Sequence, residues 1–477
     1  MRQRRPQAPS AHQRESARAL GRRARAALAG MQGRARRPRH WQRALRLVGG
    51  LAALTGGGTG LLMLPISGAE RSLRADEALF TAVSALSTTG LSVITPGRDL
   101  SSIGQVVLLL LMQIGGIGFM VGAVTIFRLI GRRITLEERL TLRDSLGLIS
   151  TASLLRLTRS VLIGVGLIEA AGALLLWLNW APTYGAGRAL FLAVFHAVSA
   201  FCNASFDLFS GTPDAPAAFP TDALTLLTLS TLVILGSIGI PVLADIVRWP
   251  FRRTLSLHTR LTLVVAGALL ALGTAGLFIG ESQPGALFAD LPWPRRMLLA
   301  YFHSATSRTS GFVLEPLDRM APANVLLLTA LMFIGGSPAS MGGGITTSTF
   351  AVLVLAMWSY VRGRMLVVVD RRTLPTETVL KGAAILIVAL LLVGTTTWLL
   401  LLTQPARLDE ALFEAVSAFS TCGFTLGLTP RLDVFGRLLI AFTMFWGRLG
   451  ALTIVVTLAR REVAPAVAYP EEQILIG

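Results

Sequence analysis

The sequence is poor in cysteine and in charge. Cys202 and Cys422 are its only cysteines, which excludes a disulfide scaffold and a cysteine-rich zinc site. Charged residues make up 15% of the 477 positions and hydrophobic residues 53%, an apolar share that is too large for a soluble protein. A membrane-embedded enzyme would need a His/Asp or Cys/His cluster at a membrane edge, and the sequence shows none. The composition therefore favours a polytopic membrane protein that is not an enzyme and carries no cofactor.

Eight apolar runs are long enough to cross a bilayer, which takes about 20 helical residues. They cover residues 45–64, 103–130, 157–180, 224–247, 261–280, 325–361, 379–403 and 438–458. Each run is predicted to be helical because lipid offers its backbone groups no other partner. Residues 1–46 contain fourteen Arg, one Glu and no apolar core, so we expect no cleavable signal. Residues 1–44 are predicted to form a basic, disordered cytosolic tail.

The net charge of +18 is distributed unevenly. When loops are assigned alternately to the two sides, Arg and Lys predominate on the side of the N terminus, whereas the opposite side is net acidic. This positive-inside pattern predicts a multi-pass protein of the plasma membrane with both termini in the cytoplasm. It also argues against a nucleic-acid partner, because only the N-terminal tail could supply a basic domain. An acidic outer surface would concentrate cations and repel anions.

Four polar stretches recur between the apolar runs and align without gaps. They read AVSALSTTGLS (82–92), AVSAFCNASFD (197–207), HSATSRTSGFV (303–313) and AVSAFSTCGFT (415–425). Segments before them, such as 75–87 and 408–420, are too short to cross the membrane and are predicted to enter it halfway as short helices. The pattern predicts an all-α fold of four tandem span, pore-loop, span repeats around one pore, with eight spans and four re-entrant helices. The alternative is that these small residues only let helices pack closely.

The end of each polar stretch is predicted to line a selectivity filter in three rows. The rows are Thr88, Asn203, Thr309 and Thr421, then Thr89, Ala204, Ser310 and Cys422, then the reference position, Gly90, Ser205, Gly311 and Gly423. Glycine at the reference position permits left-handed dihedrals, which would turn carbonyls toward the axis. None of the twelve side chains is charged, and a ring of neutral carbonyls suits K⁺, whereas divalent ions call for carboxylates. The negative ends of the short helices would add to this preference for a cation.

The third repeat contains a helix-breaking stretch, GGSPASMGGGITTST, at residues 335–349. It is predicted to form a gating loop below the filter, with a static helix break as the alternative. The residues concerned are Gly335, Gly336, Ser337, Pro338, Gly342, Gly343 and Gly344. Arg448 occupies the corresponding level of the fourth repeat and is predicted to form an electrostatic barrier in the inner pore. The alternative for Arg448 is a buried ion pair with Glu169, which is otherwise interpreted as a structural bridge.

Three further polar residues lie close to the predicted filter. Arg308 precedes the third filter row and is predicted to bind backbone carbonyls from behind the loop. His196 and His303 lie on short helices without a second ligand at metal spacing, so we interpret both as packing or hydrogen-bonding residues.

From residue 43 to 477 the chain resembles the bacterial K⁺-uptake superfamily that includes the Trk and Ktr membrane subunits and plant high-affinity relatives. The motifs are QIGGIGFM (113–120), FHAVSAFCNASFDL (195–208), LSLHTRL (255–261), FIGGSPASMGGGITT (333–347), FEAVSAFSTCGFTLGLTP (413–430) and YPEEQILIG (469–477). The last of these is most similar to the Ktr type. The repeats would cover residues 45–130, 131–250, 251–365 and 366–462, followed by a cytosolic tail at 463–477.

The resemblance implies potassium uptake through a channel-like subunit, with K⁺ as the transported ion and Na⁺ as a candidate activator. It also implies a homodimer with one pore in each subunit, seated on a cytosolic nucleotide-binding regulatory subunit. The gating loop would lie at 335–347, and Arg448 would stand at the constriction. Four residues depart from the family pattern, namely Ser205 at a filter glycine and Ala339, Met341 and Thr346 in the loop. Ser205 leaves open a less selective Na⁺/K⁺ transporter, and a polytopic membrane enzyme is the alternative from another class.

Overall fold

The computed structural model describes residues 40–118, 154–210, 219–338, 340–364 and 366–458. Its helices have between 4 and 31 residues. They are α1 His40–Met63, α2 Ala75–Ser87, α3 Pro96–Asp99, α4 Ser102–Gly116, α5 Leu154–Tyr184, α6 Ala186–Phe201, α7 Ala223–Ile238, α8 Ile240–Arg252, α9 Leu257–Glu281, α10 Trp293–Ser307, α11 Pro322–Phe333, α12 Thr347–Val361, α13 Thr376–Thr403, α14 Leu408–Ser420 and α15 Val434–Leu458. A two-stranded antiparallel hairpin, β1 Val368–Val369 and β2 Arg372–Thr373, precedes α13. Single 3-10 turns lie at Pro65–Ser67, Leu317–Arg319 and Thr429–Arg431.

The chain divides into two compact units. One comprises Gly50–Ala459, and the other comprises Met1–Gly49 together with Arg460–Gly477. Of the second unit, the structure describes only residues 40–49, which belong to the first turns of α1. The predicted tails at 1–44 and 463–477 therefore lie largely or wholly outside the described residues, as does the end of the predicted span 103–130. All that follows concerns the larger unit.

The short helices α2 and α14 begin and end where the sequence predicts. They cover Ala75–Ser87 and Leu408–Ser420, which are the predicted ranges. Each carries two acidic residues in its first turn, where the positive end of the helix dipole stabilises negative charge. The third residue of each helix, Glu77 or Glu410, also accepts a hydrogen bond from the backbone N–H of the preceding arginine, at 3.0 and 3.2 Å.

The long helices provide the membrane-spanning part of the described chain. Val161–Tyr184, Leu257–Glu281 and Thr376–Thr403 are long and apolar enough to cross a bilayer. Large apolar side chains on them face outward, such as Leu167, Val264 and Leu391 with exposed fractions of 67, 68 and 65%. Such surfaces suit lipid rather than water. The protein is therefore a mostly helical membrane protein.

Two of the predicted spans are broken. Residues 224–247 were expected to form one helix, but α7 and α8 meet at an angle of 102° at Gly239, whose φ of 93° is readily adopted only by glycine. In residues 325–361, α11 and α12 have 12 and 15 residues and are separated by an irregular stretch. The sequence predicts this second break from Pro338 and the glycines, whereas the bend at Gly239 was missed.

The short helices and the chain after them form the core of the molecule. Most of the largest fully buried side chains lie there, namely Phe80, Phe195, Phe201, Phe206, Phe209, Phe302, Phe312, Phe413 and Phe424. Three of the short helices contact the helix that follows the polar stretch of the preceding predicted repeat, in the pairs α6 with α4, α10 with α7, and α14 with α11, and the first short helix, α2, contacts α15 of the last one. The last pair joins the end of the chain to its beginning, so the contacts form a closed ring.

Candidate functional site

The four predicted filter segments, residues 88–90, 203–205, 309–311 and 421–423, lie against one another. A Cβ added to Gly90 would lie 2.5 Å from the carbonyl oxygen of Ala204, and one added to Gly423 would lie 2.1 Å from that of Thr89. A Cβ on Gly311 would lie 2.3 Å from the carbonyl carbon of Gly423. These distances leave no room for a side chain, so close approach of the backbones requires glycine at these three positions.

Three of the filter segments have the same backbone turn and hydrogen bond at the end of their short helices. The first-row residues Thr88, Asn203 and Thr421 are left-handed, with φ of 55, 55 and 51°. In each case the next backbone N–H donates to the carbonyl five residues earlier, in the pairs Thr89 with Ser84, Ala204 with Ser199, and Cys422 with Ser417, at 2.8, 2.8 and 2.9 Å. This is a Schellman-type helix end. Left-handed residues were not expected in this row from the sequence.

The third filter segment has a different backbone. Ser310 N–H donates to the carbonyl of Thr306, only four residues earlier, at 2.8 Å. Neither Thr309 nor Gly311 has a positive φ, whereas the reference residues Gly90, Ser205 and Gly423 do. The prediction of a left-handed reference position is therefore wrong for Gly311.

Serine hydroxyls hold the reference glycines in two of the segments. Gly90 N–H donates to Ser84 Oγ at 3.0 Å, and Gly423 N–H donates to Ser417 Oγ at 3.1 Å. In the third segment the matching position is Ala305, which has no hydroxyl. The aligned stretches contain this difference, but they do not show what replaces the missing partner.

Ser205 supplies the replacement from the neighbouring segment. Its Oγ accepts the Gly311 N–H at 2.5 Å, lies 3.1 Å from Ser310 Oγ and donates to the Cys422 carbonyl at 3.2 Å. One side chain of the second predicted filter segment thus links the third and fourth segments.

The filter segments place main-chain carbonyls in a buried region. All twelve residues are buried except Gly90, which is half-buried. Within the described part of the chain, only one of their twelve carbonyls, that of Cys422, accepts a hydrogen bond from the protein. Buried carbonyls normally find donors, so a cluster of carbonyls without donors needs an explanation.

The glycine-rich segment between α11 and α12 is bonded to the filter segments. Thr88 Oγ1 donates to the Met341 carbonyl at 3.0 Å, and Gly343 N–H donates to Thr421 Oγ1 at 2.9 Å. A Cβ on Gly343 would lie 2.6 Å from Thr421 Oγ1, and one on Gly342 would lie 2.4 Å from Thr309 Cγ2. The glycines are therefore needed for close contact as well as for breaking the helix.

The second repeat holds the other side of the glycine-rich segment. Ser337 N–H donates to the Ser237 carbonyl at 2.9 Å, and Met341 N–H donates to the Gly236 carbonyl at 3.1 Å. Thr346 caps α12 by accepting a hydrogen bond from Thr349 N–H at 3.3 Å. Ala339 lies outside the described residues.

Arg448 contacts the glycine-rich segment from the fourth repeat. Its guanidinium donates to the Met341 carbonyl at 2.5 Å and to the Gly115 carbonyl, at the end of α4, at 2.7 Å. Glu169 is bound instead by Gln113 Nε2 at 2.9 Å and approached by Cys202 Sγ at 3.7 Å. The alternative of an Arg448–Glu169 ion pair is therefore wrong, and Glu169 bridges α5 to α4 and α6.

Arg308 and the two histidines have structural contacts. Arg308 Nη2 donates to the Gly335 carbonyl and to Thr347 Oγ1, both at 3.0 Å. Arg308 therefore binds a backbone carbonyl, as predicted, but this carbonyl belongs to the glycine-rich segment and not to its own filter loop. His196 lies 2.7 Å from the Leu192 carbonyl through Nδ1 and accepts Leu208 N–H at Nε2. His303 packs against aromatic rings, with Phe288 stacked at 6.3 Å between centroids.

Comparisons with known proteins agree on one family. The TrkH family model, described as a cation transport protein, matches residues 43–464. The chain is 36% identical to the Ktr system potassium uptake protein B of Vibrio alginolyticus, covering 87% of this chain and 91% of the relative. It is 32% identical to the potassium/sodium uptake protein NtpJ of Enterococcus hirae, covering 88 and 94%. The crystal structure of the potassium transporter TrkH from Vibrio parahaemolyticus matches with a TM-score of 0.68 at 18% identity, covering 89% of this chain and 87% of that one, which shows the shared fold.

Proposed function

Because this chain belongs to the TrkH family of cation transport proteins, we propose that it is the translocating membrane subunit of a Ktr- or Trk-type potassium uptake system. One observation supports this more than any other, namely the buried filter carbonyls, of which all but that of Cys422 accept no hydrogen bond within the described part of the chain. Such carbonyls can replace the water around a weakly hydrated monovalent cation. The absence of charged side chains among the twelve filter residues favours K⁺ over divalent ions.

The pore would run where the four filter segments meet. The closed ring of helix contacts and the mutual contacts of the four segments support four repeats around one axis. The short helices end at the filter segments, so the negative ends of their dipoles would favour a cation there. This geometry is difficult to reconcile with a role for the small residues in helix packing alone.

The glycine-rich segment would gate this pore from one side of the filter. It is bonded to first-row residues Thr88 and Thr421 and held by Arg308 and Arg448, so it would have to break these bonds to move. Arg448 then has two roles in the proposal. Its charge opposes cations at the constriction, and its two hydrogen bonds hold the segment to α4.

Ser205 supports a second candidate, a transporter of the same family that discriminates less between K⁺ and Na⁺. Its hydroxyl occupies the Cys422 carbonyl, which removes one ligand from the proposed filter. The proposed partners follow from the family, namely a second copy in a homodimer, a cytosolic nucleotide-binding regulatory subunit and the lipid of the plasma membrane, with both termini in the cytoplasm. Na⁺ remains a candidate activator.

The test is cation uptake by the purified chain alone in proteoliposomes. We expect uptake of radioactive rubidium that K⁺ competes away and that exceeds Na⁺ uptake. Thr231→Val is the control for variants of the filter hydroxyls, because the exposed hydroxyl of Thr231 donates within α7, to the Leu227 carbonyl, and lies outside the filter segments. Rubidium uptake no greater than in empty liposomes, from protein that is monodisperse, would refute the proposal.

A further inference from the structure

Helix α8 leaves the direction of α7, the apolar helix before it. It bends by 102° from α7 at Gly239, and the apolar helix α9 begins at Leu257 soon after α8 ends. An exposed arginine is expensive in the hydrocarbon core, so Arg248 and Arg253 place the end of α8 at the level of the lipid headgroups.

The first half of α8 is fixed to the rest of the protein. Val242 is fully buried. Asp245 Oδ2 accepts hydrogen bonds from Ser256 N–H at 2.9 Å and from Thr259 Oγ1 at 2.7 Å, both at the start of α9. These contacts hold the first half of α8 against the start of α9.

The second half of α8 is exposed and combines apolar with basic side chains. Val247, Trp249 and Phe251 have exposed fractions of 71, 53 and 90%. Arg248 and Arg253 are exposed as well, and within the described part of the chain neither forms an ion pair. By contrast, the nearby Arg260 is paired with Asp370 at 3.1 Å.

We propose that this half of α8 is a binding site for anionic phospholipid. Val247 and Phe251, four residues apart on one face, would enter the boundary of the acyl chains. Arg248 and Arg253 would bind the headgroup phosphates. Neither arginine forms an ion pair within the described part of the chain. Anionic lipid headgroups would neutralise both charges, whereas a second protein surface would leave both arginines to be neutralised. The site depends on membrane insertion and not on ion conduction, so its failure would leave the potassium uptake proposal intact.

The experiment uses the full chain with Phe251→Cys, labelled with an environment-sensitive fluorophore. Both native cysteines are fully buried, and the chain without the new cysteine controls for labelling at them. The labelled protein is placed in phosphatidylcholine vesicles with about one-fifth phosphatidylglycerol, a composition that gives an anionic surface. Bromine, which quenches the fluorophore, is carried either by the acyl chains of phosphatidylglycerol or by an equal amount of phosphatidylcholine.

We expect brominated phosphatidylglycerol to quench more strongly than brominated phosphatidylcholine. Each arginine near an anionic surface contributes about a fivefold preference, so Arg248→Gln or Arg253→Gln should reduce the excess quenching several-fold. Arg319→Gln, which removes an exposed arginine from a loop at the opposite end of α11 from the glycine-rich segment, should leave it unchanged. Rubidium uptake and gel filtration check that each variant is folded.

Two outcomes would overturn the proposal. Equal quenching by the two brominated lipids would show lipid contact without recognition of anionic headgroups. Weak quenching by both, together with a disulfide between the introduced cysteines of two unlabelled copies on a non-reducing gel, would show that a second copy covers this surface.

Discussion

Replacing Ser205 by glycine should raise the preference of the protein for K⁺ over Na⁺. The serine hydroxyl donates to the Cys422 carbonyl, so its removal returns one carbonyl to the proposed filter. The net free energy of such a hydrogen bond is about 1 kcal/mol, which corresponds to about a fivefold change in an equilibrium ratio. We therefore expect the ratio of rubidium to sodium uptake in proteoliposomes to increase up to about fivefold.

The same change has two opposing effects on stability. Ser205 has a φ of 59°, and glycine relieves about 1 kcal/mol of left-handed strain there. Loss of the hydroxyl leaves the buried Gly311 N–H without its partner, at a cost of about 1–3 kcal/mol. The net destabilisation should therefore not exceed about 2 kcal/mol, measured as thermal unfolding of the detergent-purified protein.

Ser205→Ala separates the hydroxyl from the backbone conformation. Alanine removes the same hydrogen bonds but keeps the left-handed strain, so it should be less stable than the glycine variant by about 1 kcal/mol. If the hydroxyl sets selectivity, both variants should shift the uptake ratio equally. If both folded variants take up rubidium but keep the same rubidium-to-sodium uptake ratio as the unchanged protein, the Cys422 carbonyl does not set the selectivity in the way proposed.

Three further predictions concern the glycine-rich segment. Arg448→Ala should raise rubidium flux because it removes both the charge and the hydrogen bonds to the Met341 and Gly115 carbonyls. Arg448→Lys keeps the charge and should raise the flux less. Equal or lower flux from folded Arg448→Ala protein would contradict the barrier role of Arg448. Thr421→Val should also raise flux by releasing Gly343 N–H, and Thr421→Ser, which keeps the hydroxyl, should behave like the parent in the same assay. Gly343→Ala should lower the unfolding temperature, since its Cβ would overlap Thr421 Oγ1; an unchanged temperature would show that the segment can shift away.

Features that depend on residues close together in the chain could be predicted from the sequence. The short segments predicted at 75–87 and 408–420 have the bounds of α2 and α14. Pro338 and the glycine run predicted the break between α11 and α12, because a helix cannot keep its hydrogen bonds through such a stretch. The gapless alignment of four stretches was enough to single out the residues that meet in the fold.

Features that depend on contacts between repeats could not be read in the same way. Gly239 looks like any other glycine inside an apolar run, and glycines are common in membrane helices, so its 102° bend was not expected. The third segment has Ala305 where two others have a serine, yet the consequence becomes visible only when Ser205 of another segment reaches Gly311.

By itself, the sequence determined the membrane environment, the helical class, the four related segments and the family, since composition and motif spacing are properties of the chain alone. The tertiary structure decided which partners the polar groups found. Arg448 binds two carbonyls instead of Glu169, and Ser205 joins three of the predicted filter segments, because residues more than a hundred positions apart become neighbours only when the helices pack. Hydrogen bonds at that separation follow from geometry that no local pattern encodes.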